Sequence, residues 1–419
     1  MPRSPRPPHS KRSFLVHGKF MSAKWDFQHH VVPPMSSSSA YRLETAERGE
    51  AGFCGFSDPK VRAHRRSEIF IYDRLDEPTR AMLEERLAYV EDGRFAVCFS
   101  SGMAAIAAAL GVLVKTGDEI IAHHALYGCT YSLLTNWMPK YGVSVRYADL
   151  TKPEKLDRLI GRKTRVVLYE TPVNPTLELI DIAAVSEICR RRKVRTVVDN
   201  TFATPFCQRP LGLGADVVAH SLTKNICGFG TDMGGAVVSA LDLESDFLLY
   251  RKDFGGVLSP KNAWPILVYG LPSLELRMRK EEQNALEVAR FLEDHPKVAS
   301  VSYPGLESFP QRDLARRQMT DFDGTFAPSN MIYFVMKGGD RAASRVVNHA
   351  AKHAYALTLA VSLGQIRTLI EKPTGMTHSA LPAAVKKAGH LSPGGVRLSI
   401  GIEDPGDIIH DLREALQRC

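Results

Sequence analysis

The chain has 419 residues, 44% of them hydrophobic and 24% charged, which is long enough for two or three domains with a large buried core. Its net charge of +8 does not by itself indicate a nucleic-acid partner, because the basic residues are spread along the chain outside positions 1–12 and 190–193. The seven cysteines are odd in number and form no CxxC pair, and HExxH is absent. We therefore expect no disulfide framework, no metal site and a reducing, cytoplasmic environment.

The N-terminal region lacks a regular pattern. Residues 1–12 combine Pro, Ser and Arg with almost no apolar side chains, which predicts a disordered leader without the apolar core of a secretory signal. Residues 13–68 show no sustained period, so we predict an irregular arm over residues 1–68. The longest uncharged run, at 95–114, has the length of a membrane span, but its many alanines and glycines favour a buried helix, a soluble protein and no membrane partner.

The first strong strand signal is the apolar run 95–99, which is followed by the turn sequence SSGM and an alanine-rich helix pattern. A strand, a turn of small residues and a helix N-terminus bring free backbone N–H groups and the positive end of the helix dipole together. We therefore predict that Ser101, Gly102 and Met103 bind a phosphate group. The alternative is an ordinary helix cap at the same residues.

Strand and helix patterns alternate from about residue 95 to residue 240, with strand-like runs at 119–122, 166–169, 194–198 and 216–219. This alternation predicts an α/β fold whose mainly parallel sheet is covered by helices on both faces. A long helix pattern at 274–295 is followed by further strands and helices. We therefore predict a large domain over residues 69–274 and a smaller C-terminal domain over residues 275–419.

Polar residues follow two of these strand-like runs. Asp199 comes after the first, and Ser221, Thr223 and Lys224 come after the second, so parallel strands would bring them to one sheet edge. A lysine amine forms a Schiff base with an aldehyde, a carboxylate holds a pyridine nitrogen protonated, and hydroxyls bind phosphate oxygens. The set predicts a site for pyridoxal 5′-phosphate. Taken singly, the alternatives are a solvated lysine and a helix-capping aspartate.

The segments VVDNTFATP and AHSLTK resemble the cofactor lysine region of the Cys/Met-metabolism family of pyridoxal-phosphate enzymes. That family includes cystathionine synthases and lyases, methionine γ-lyase and O-acylhomoserine sulfhydrylases. The resemblance covers about residues 30–415 and implies the aspartate-aminotransferase-like fold of type I. It implies an N-terminal arm, a seven-stranded cofactor domain, a smaller C-terminal domain, and a homotetramer of two dimers whose active sites are shared between subunits.

The resemblance also implies roles for single residues. Tyr127, in HHALYGC, is expected to stack on the pyridine ring and to assist proton transfer at the leaving group. Asn174, in ETPVNPT, is expected near the phenolic oxygen of the cofactor. Tyr72 and Arg74, in IFIYDR, are expected to bind the cofactor phosphate of the adjacent subunit. The following Asp76-Glu77 replaces the Gly-Asn or Ser-Asn that is usual in the family.

In the C-terminal region the segments SLG, MTHS and GVRLS are similar to the family's substrate-binding segments. Arg397 is therefore expected to bind the substrate α-carboxylate, with Ser362 beside it, because a guanidinium group binds a carboxylate through two parallel N–H groups. The resemblance further implies that Lys224 carries the cofactor and moves protons on the substrate. Asp199 is then expected to keep the ring nitrogen positively charged.

Substrate choice is predicted from two further positions. Cystathionine enzymes of the family carry acidic residues where this chain has Ile71 and Val361, and an apolar pair disfavours a buried ammonium group. The segment that contains Cys129 resembles the Tyr-Gly-Cys-Thr segment of methionine γ-lyases. We predict a C–S γ-lyase that acts on a sulfur amino acid such as methionine and releases 2-oxobutyrate, ammonia and a thiol. The alternatives are γ-replacement, as in O-acylhomoserine sulfhydrylase or cystathionine γ-synthase, and cystathionine γ-lyase.

A rival interpretation takes Ser221 and Lys224 as the SxxK nucleophile pair of a penicillin-binding protein. That family needs a KTG segment after SxxK and an SDN segment between the two. Here KTG, at 115–117, precedes the pair and SDN is absent. The order of the segments therefore disfavours this interpretation.

Overall fold

The computed structural model describes residues 10–18, 30–57, 69–379 and 381–418. The strands are β1 (Phe95–Phe99), β2 (Glu119–His123), β3 (Ser144–Ala148), β4 (Thr164–Glu170), β5 (Arg195–Asp199), β6 (Val217–Ser221), β7 (Gly235–Ser239), β8 (Val298–Ser302), β9 (Met331–Met336), β10 (Leu357–Leu359), β11 (Thr368–Glu371) and β12 (Gly395–Ser399). The α-helices are α1 (Lys11–His17), α2 (Ala46–Ser57), α3 (Pro78–Val90), α4 (Gly102–Leu113), α5 (Gly128–Ser132), α6 (Leu156–Leu159), α7 (Ile182–Arg191), α8 (Thr204–Cys207), α9 (Glu244–Phe254), α10 (Pro260–Pro265), α11 (Leu271–Glu293), α12 (Arg312–Gln318), α13 (Gly339–His353), α14 (Ala383–Ala388) and α15 (Pro405–Gln417). Short π-helical segments follow α5 and α10, at Leu133–Trp137 and Ile266–Gly270, and short 3-10 segments are Met138–Tyr141, Pro153–Lys155, Pro210–Leu213 and Pro373–Gly375.

The larger sheet has seven strands in the order β1-β7-β6-β5-β4-β2-β3. Only β7 runs antiparallel to its neighbours within this sheet. Alternate residues of β1 belong to different apolar clusters: Val97 and Phe99 pack with α4 and α9, whereas Ala96 and Cys98 pack with α3 and α11. Because successive strand residues point to opposite faces, both faces of the sheet are covered by helices. The predicted α/β fold with a mainly parallel, doubly covered sheet is confirmed.

The apolar runs located five of the seven strands of this sheet within one or two residues, whereas β3 and β7 were not predicted. The run predicted at 194–198 is the strand Arg195–Asp199, and the run at 216–219 is the strand Val217–Ser221. The strands end one and two residues beyond the predicted runs, so Asp199 and Ser221 are their last residues. Both polar side chains therefore lie at the carboxyl edge of the sheet.

The smaller sheet has five strands in the order β10-β11-β12-β9-β8. It packs against α11, α13 and α15 through a separate apolar cluster. The boundary predicted at residue 274 lies inside α11, which begins at Leu271 and connects the two sheets. The domain limits at 69–274 and 275–419 stay predictions. Among the described residues, no helix is long and apolar enough to cross a membrane.

The N-terminal expectations were wrong for the residues that form α1 and α2. Helix α1 begins at Lys11, inside the predicted disordered leader, and its Lys11 amine donates a 2.7 Å hydrogen bond to the carbonyl of Val90. Phe14 and Leu15 are buried, and the carbonyl of Leu15 accepts a hydrogen bond from Arg86. A seven-residue helix has little stability of its own, so tertiary packing decides this segment. The rest of the predicted leader and arm, at 1–9, 19–29 and 58–68, lies outside the described residues.

Candidate active site

Three parallel strands end side by side at the carboxyl edge of the large sheet. In their register Glu170 of β4 lies beside Asp199 of β5, and Asp199 lies beside Ala219 of β6. Lys224 follows β6 after a turn in which its backbone N–H donates to the carbonyl of Ser221. The structure thus places Asp199, Ser221 and Lys224 at one edge.

Thr201 connects the ends of β5 and β6. Its backbone N–H donates to Oδ1 of Asp199 at 3.0 Å, and its hydroxyl accepts from the backbone N–H of Ser221 at 2.9 Å. Burial raises the pKa of Asp199, against the opposing effect of Thr201 and of the Lys224 charge. Sequence reasoning assigned no role to Thr201, although it lies in the segment VVDNTFATP that carried the resemblance.

The amine of Lys224 lies between the two sheets. Its Nζ donates a 2.7 Å hydrogen bond to the hydroxyl of Ser362, in the loop between β10 and β11. Burial, aided by the positive charge of Arg397, lowers the pKa of Lys224 to about 8. A lysine with such a pKa has a sizeable neutral fraction near neutral pH, and the neutral amine is the form that attacks an aldehyde.

Arg397 approaches the same site from β12 of the smaller sheet. Its NH1 donates to the side-chain oxygen of Asn174 at 2.9 Å, and its NH2 donates to the carbonyl of Ser362 at 2.7 Å. NH2 also lies 3.0 Å from Oε1 of Glu371, and the Arg397 side chain is 2% exposed. Ser362 therefore contacts both Lys224, through its hydroxyl, and Arg397, through its carbonyl.

The turn before α4 packs directly on the end of β6. The Ser101 hydroxyl caps α4 by accepting from the N–H of Ala104 at 3.1 Å. A Cβ added to Gly102 would lie 2.7 Å from the Cβ of Ser221, and a Cβ added to Gly235 would lie 2.0 Å from the carbonyl oxygen of Ser101. Only glycine permits these approaches, which bring the Ser101-Gly102-Met103 turn and Ser221 together as predicted. The first N–H groups of α4 have no acceptor within the helix and suit an anion.

Thr223 lies beside this turn, but its hydroxyl is already engaged. It accepts from the backbone N–H of Gly234 at 3.1 Å and donates to the Gly234 carbonyl at 3.3 Å. These bonds fix the loop between β6 and β7. A role for Thr223 in binding phosphate stays a prediction.

Glu170 joins two of the predicted residues. Its two carboxyl oxygens accept from the backbone N–H groups of Asn174, at 3.0 Å, and of Tyr127, at 3.1 Å. Burial, together with the neighbouring Asp199, raises the pKa of Glu170 to about 8. Burial and the neighbouring thiol of Cys129 raise the pKa of Tyr127 to about 12. Sequence reasoning quoted Glu170 within ETPVNPT but gave it no role.

The matches to known proteins agree over nearly the whole chain. The family model described as "Cys/Met metabolism PLP-dependent enzyme" matches residues 13–417. The chain belongs to this family. An L-methionine gamma-lyase of Porphyromonas gingivalis is 41% identical over 92% of each chain, and a cystathionine gamma-synthase of Mycobacterium tuberculosis is 42% identical over 83% of this chain and 86% of its own. The crystal structure of a cystathionine gamma synthase from Xanthomonas oryzae pv. oryzae, in complex with aminoacrylate and cysteine, has a TM-score of 0.86 and 34% identity, and it covers 98% of this chain and 99% of that chain.

Pyridoxal 5′-phosphate (PLP) is the cofactor of the Cys/Met-metabolism enzymes, and the site residues fit it. The glycine-lined turn at α4 forms a cradle for an anion that a Cβ at Gly102 would fill. The Lys224 amine, with its lowered pKa, suits an aldehyde, and Asp199 offers a carboxyl group at the neighbouring strand end. Each chemical part of PLP thus has a matching group at this edge of the sheet.

Tyr72 and Arg74 do not join this site within one chain. Tyr72 is 44% exposed, and the Arg74 guanidinium lies 5.6 Å from the centre of the Tyr72 ring. NH1 of Arg74 donates to the backbone carbonyl of Lys252. In the described part of the chain no hydrogen bond or ion pair connects either side chain with Lys224, and their expected role at the site of an adjacent subunit stays a prediction.

The two residues expected at the distal end of the substrate differ in exposure. Ile71 is 6% exposed, and its side chain packs within the core. It lies so close to Gly52 that a Cβ on that residue would clash with it. Its neighbour Tyr72 takes the outward direction instead, and the expected place of Ile71 in the pocket stays a prediction. Val361 is 57% exposed next to Ser362 and remains a predicted pocket residue. Cys129 is also exposed, close to Tyr127.

The unusual Asp76-Glu77 pair acts as a buried helix cap. The Glu77 carboxylate accepts from the N–H of Thr79 at 2.8 Å and from the N–H of Arg80, and Asp76 accepts from the N–H of Glu77 at 3.0 Å. Both side chains are buried. Glu77 therefore satisfies the first N–H groups of α3, which a carboxylate does well at the positive end of a helix, and Asp76 satisfies the N–H of the capping residue itself.

A histidine cluster lies beyond the site, where β2 and β3 end. The nearest ligand atoms of His123, His124 and Asp149 lie within 4.8 Å of one another. Nδ1 of His123, however, accepts a hydrogen bond from the N–H of Leu150, so Nε2 carries the proton and offers no lone pair. Asp149 accepts two hydrogen bonds from Thr151 and pairs with Lys152 at 3.3 Å. The donor set is therefore a poor one for a metal.

Proposed function

We propose that the protein is a PLP-dependent C–S γ-lyase that converts a sulfur amino acid such as methionine to 2-oxobutyrate, ammonia and a thiol. The observation that carries this proposal is the exposed, apolar Val361 next to Ser362, whose two oxygen atoms contact Lys224 and Arg397. A thioether fits an apolar wall, whereas a second ammonium group there would lose water without gaining a partner. The similarity to methionine gamma-lyases over 92% of the chain supports the same conclusion.

The substrate carboxylate is bound by Arg397 in this proposal. The guanidinium group is held by Asn174, Ser362 and Glu371, so its direction is fixed before the substrate arrives. A fixed guanidinium group binds a carboxylate with little loss of side-chain freedom. The amino group of the substrate is then placed beside Lys224.

PLP, when bound, supplies an electron sink that stabilises a carbanion on the substrate. Asp199 would hold the pyridine nitrogen protonated, and the α4 turn with Ser221 would bind the phosphate. The Lys224 amine would hold the aldehyde carbon, and Lys224 would also remove the α proton and move protons to and from the α and β carbons. Ser362 keeps the Lys224 amine within reach through the 2.7 Å hydrogen bond.

Tyr127 supplies the proton for the departing sulfur. The pKa of the phenol is raised to about 12, so Tyr127 carries a proton at neutral pH that it can donate. Glu170 fixes the start of α5 by accepting the Tyr127 N–H. Donation of a proton to the sulfur makes a neutral thiol the leaving group.

A second candidate is γ-replacement, in which a thiol adds where the first substituent left. It is favoured by the cystathionine gamma-synthase of Mycobacterium tuberculosis, at 42% identity, and by the Xanthomonas synthase structure, with a TM-score of 0.86. The same residues serve both reactions up to the loss of the γ substituent. The two differ in whether water or a thiol completes the turnover.

One experiment separates these candidates. The purified PLP-loaded protein is incubated with methionine, cystathionine, homocysteine or O-acetylhomoserine, with and without an added thiol, and 2-oxobutyrate and thioether products are measured. We expect 2-oxobutyrate from methionine without thiol. Thioether formation from O-acetylhomoserine as the dominant reaction would favour replacement. Lys224→Ala is the control, and it should lose turnover, the yellow absorption band and the borohydride-reducible cofactor adduct.

We also propose that the enzyme is a homotetramer of two dimers with shared active sites and that it works in the cytoplasm. The outward position of Tyr72 and Arg74 supports a shared site, because both side chains are exposed on the surface where a second subunit can contact them. Among the described residues, Cys54, Cys129, Cys189, Cys207 and Cys227 form no disulfide, which suits a reducing compartment. Analytical ultracentrifugation tests the oligomeric state.

A further inference from the structure

Glu371 and Arg397 form a buried cross-strand ion pair. They are register partners on the antiparallel strands β11 and β12, and their side chains are 1% and 2% exposed. Oε1 of Glu371 lies 3.0 Å from NH2 of Arg397. The residue predicted to bind the substrate carboxylate thus already has a carboxylate partner within the protein.

Neighbouring side chains bind this ion pair without satisfying all of its hydrogen-bonding atoms. The Thr377 hydroxyl donates to Oε1 of Glu371 at 2.8 Å, and Nδ1 of His378 lies 3.0 Å from the same hydroxyl. In the described residues, Oε2 of Glu371 and Nε of Arg397 are both buried without a hydrogen-bond partner. An unpaired buried polar atom is costly, so one free N–H on the guanidinium favours the arrival of a second acceptor.

Charge explains why an internal carboxylate is needed here. Arg397 and Lys224 place two cations in one buried site, and each disfavours the charge of the other. The charged or titratable groups around Glu371 are Arg397 on β12, Lys224 after β6, Tyr127 at α5 and His378 after β11, while Asp199 faces Lys224 from β5. Glu371 favours the charged form of Lys224, and Arg397 disfavours it.

We propose that Glu371 is a positioning residue for this reaction, which fixes the Arg397 guanidinium through the buried ion pair and offsets its charge beside Lys224. Two substitutions of Glu371 separate the fixing of the guanidinium group from the offsetting of its charge. Glu371→Gln keeps an oxygen that accepts the Arg397 N–H but removes the charge. Glu371→Ala removes both. The inference rests on the proposed role of Arg397 but not on which sulfur amino acid is the substrate.

The first readout is the absorbance change of the PLP–lysine linkage during a pH titration. Glu371→Gln should lower the midpoint of this transition by about one pH unit, because the linkage is a cation that loses a neighbouring anion. Glu178→Gln is the matched control, since it makes the same charge change at a carboxylate that pairs with His390 instead. We expect its midpoint to equal that of the wild type.

The second readout is the inhibition constant of 4-(methylthio)butanoate, which has methionine's carboxylate and thioether at the same spacing but no amino group to react with PLP. Glu371→Gln should bind this carboxylate at least about threefold more tightly, because the guanidinium remains in place and its positive charge is no longer offset. Glu371→Ala should bind it more weakly than the wild type, because Arg397 is no longer held. Circular dichroism confirms that each variant is folded before the comparison.

Two results overturn the proposal. One is a Glu371→Gln midpoint equal to that of Glu178→Gln. The other is weaker binding of the carboxylate by Glu371→Gln, as for Glu371→Ala. A separate variant, Arg397→Lys, tests the role on which the inference rests: an unchanged inhibition constant there would remove Arg397 from carboxylate binding, whatever the Glu371 variants show.

Discussion

Ser362 and Lys224 are joined by a 2.7 Å hydrogen bond in which the amine donates to the hydroxyl. Ser362 lies in the left-handed region of backbone space, with φ at 85°. Its carbonyl oxygen is thereby available to Arg397 while its side chain contacts Lys224. A non-glycine residue in this conformation is strained, and such strain is often found where a site requires a side chain in one position.

Removing the Ser362 hydroxyl should slow the reaction without unfolding the protein. We expect kcat of Ser362→Ala to fall by about tenfold or more, because a hydrogen bond to a charged group contributes about 1.5–3 kcal/mol. Ser362→Gly is the matched variant, since it also lacks the hydroxyl but adopts positive φ without strain. The two should lose equal turnover, and Ser362→Gly should melt at the higher temperature. Wild-type turnover in Ser362→Gly would assign the effect to the backbone instead.

The lowered pKa of Lys224 predicts how fast PLP attaches to the cofactor-free protein at each pH. The amine reacts when neutral, and burial lowers its pKa to about 8. The attachment rate should therefore rise about fivefold from pH 7 to pH 8 and less than about twofold from pH 8 to pH 9. The measurement is the growth of the yellow absorption band.

Free Nα-acetyl-lysine serves as the reference for that titration. Its amine has the ordinary pKa near about 10.4, so its rate should rise about tenfold for each pH unit over the same range. If the protein follows the same tenfold steps up to pH 9, the amine of Lys224 has an ordinary pKa and is not perturbed by burial.

Arg74 and Lys224 should serve one site from two chains. Arg74→Ala should weaken PLP binding, and Lys224→Ala should be inactive. When the two variants are mixed and refolded, a mixed dimer contains one site with both changes and one with neither. We expect about a quarter of wild-type activity from random pairing of equal amounts, as the symmetry of a dimer requires. A mixture that never regains activity would mean that each site is built from a single chain.

The sequence predicted where the site lies better than it predicted which side chains pair with each other inside it. Asp199 and Lys224 follow apolar runs, and the ends of buried parallel strands converge whatever the rest of the fold. Glu371 and Arg397 are partners only because β11 and β12 pair in one register, which a single sequence does not specify. A glutamate ending the apolar run TLIE was the available signal, since a buried charge requires a partner.

Packing contacts between distant segments are likewise not specified by a single sequence, as helix α1 and Ile71 show. Helix α1 is stabilised by contacts with α3 and α11. One of these contacts joins Arg86 to Leu15, which lie 71 residues apart in the sequence. Ile71 and Tyr72 are adjacent and both hydrophobic, so the sequence did not indicate which of the two points inwards. Only the packing against α2 decides it, and that contact places Ile71 in the core.

Val361 should decide between methionine and cystathionine. Of the two apolar residues predicted at the distal end of the substrate, Val361 is the exposed one, and it lies next to Ser362 in the loop that contacts Lys224 and Arg397. Val361→Glu places a carboxylate there, which gives the second ammonium group of cystathionine a partner. We expect kcat/KM for cystathionine to rise relative to methionine by about tenfold or more, because one charged hydrogen bond contributes about 1.5–3 kcal/mol. Val361→Gln, which has the same shape without the charge, should change that ratio far less. The assignment fails if the wild-type enzyme already prefers cystathionine, or if Val361→Glu and Val361→Gln give the same ratio.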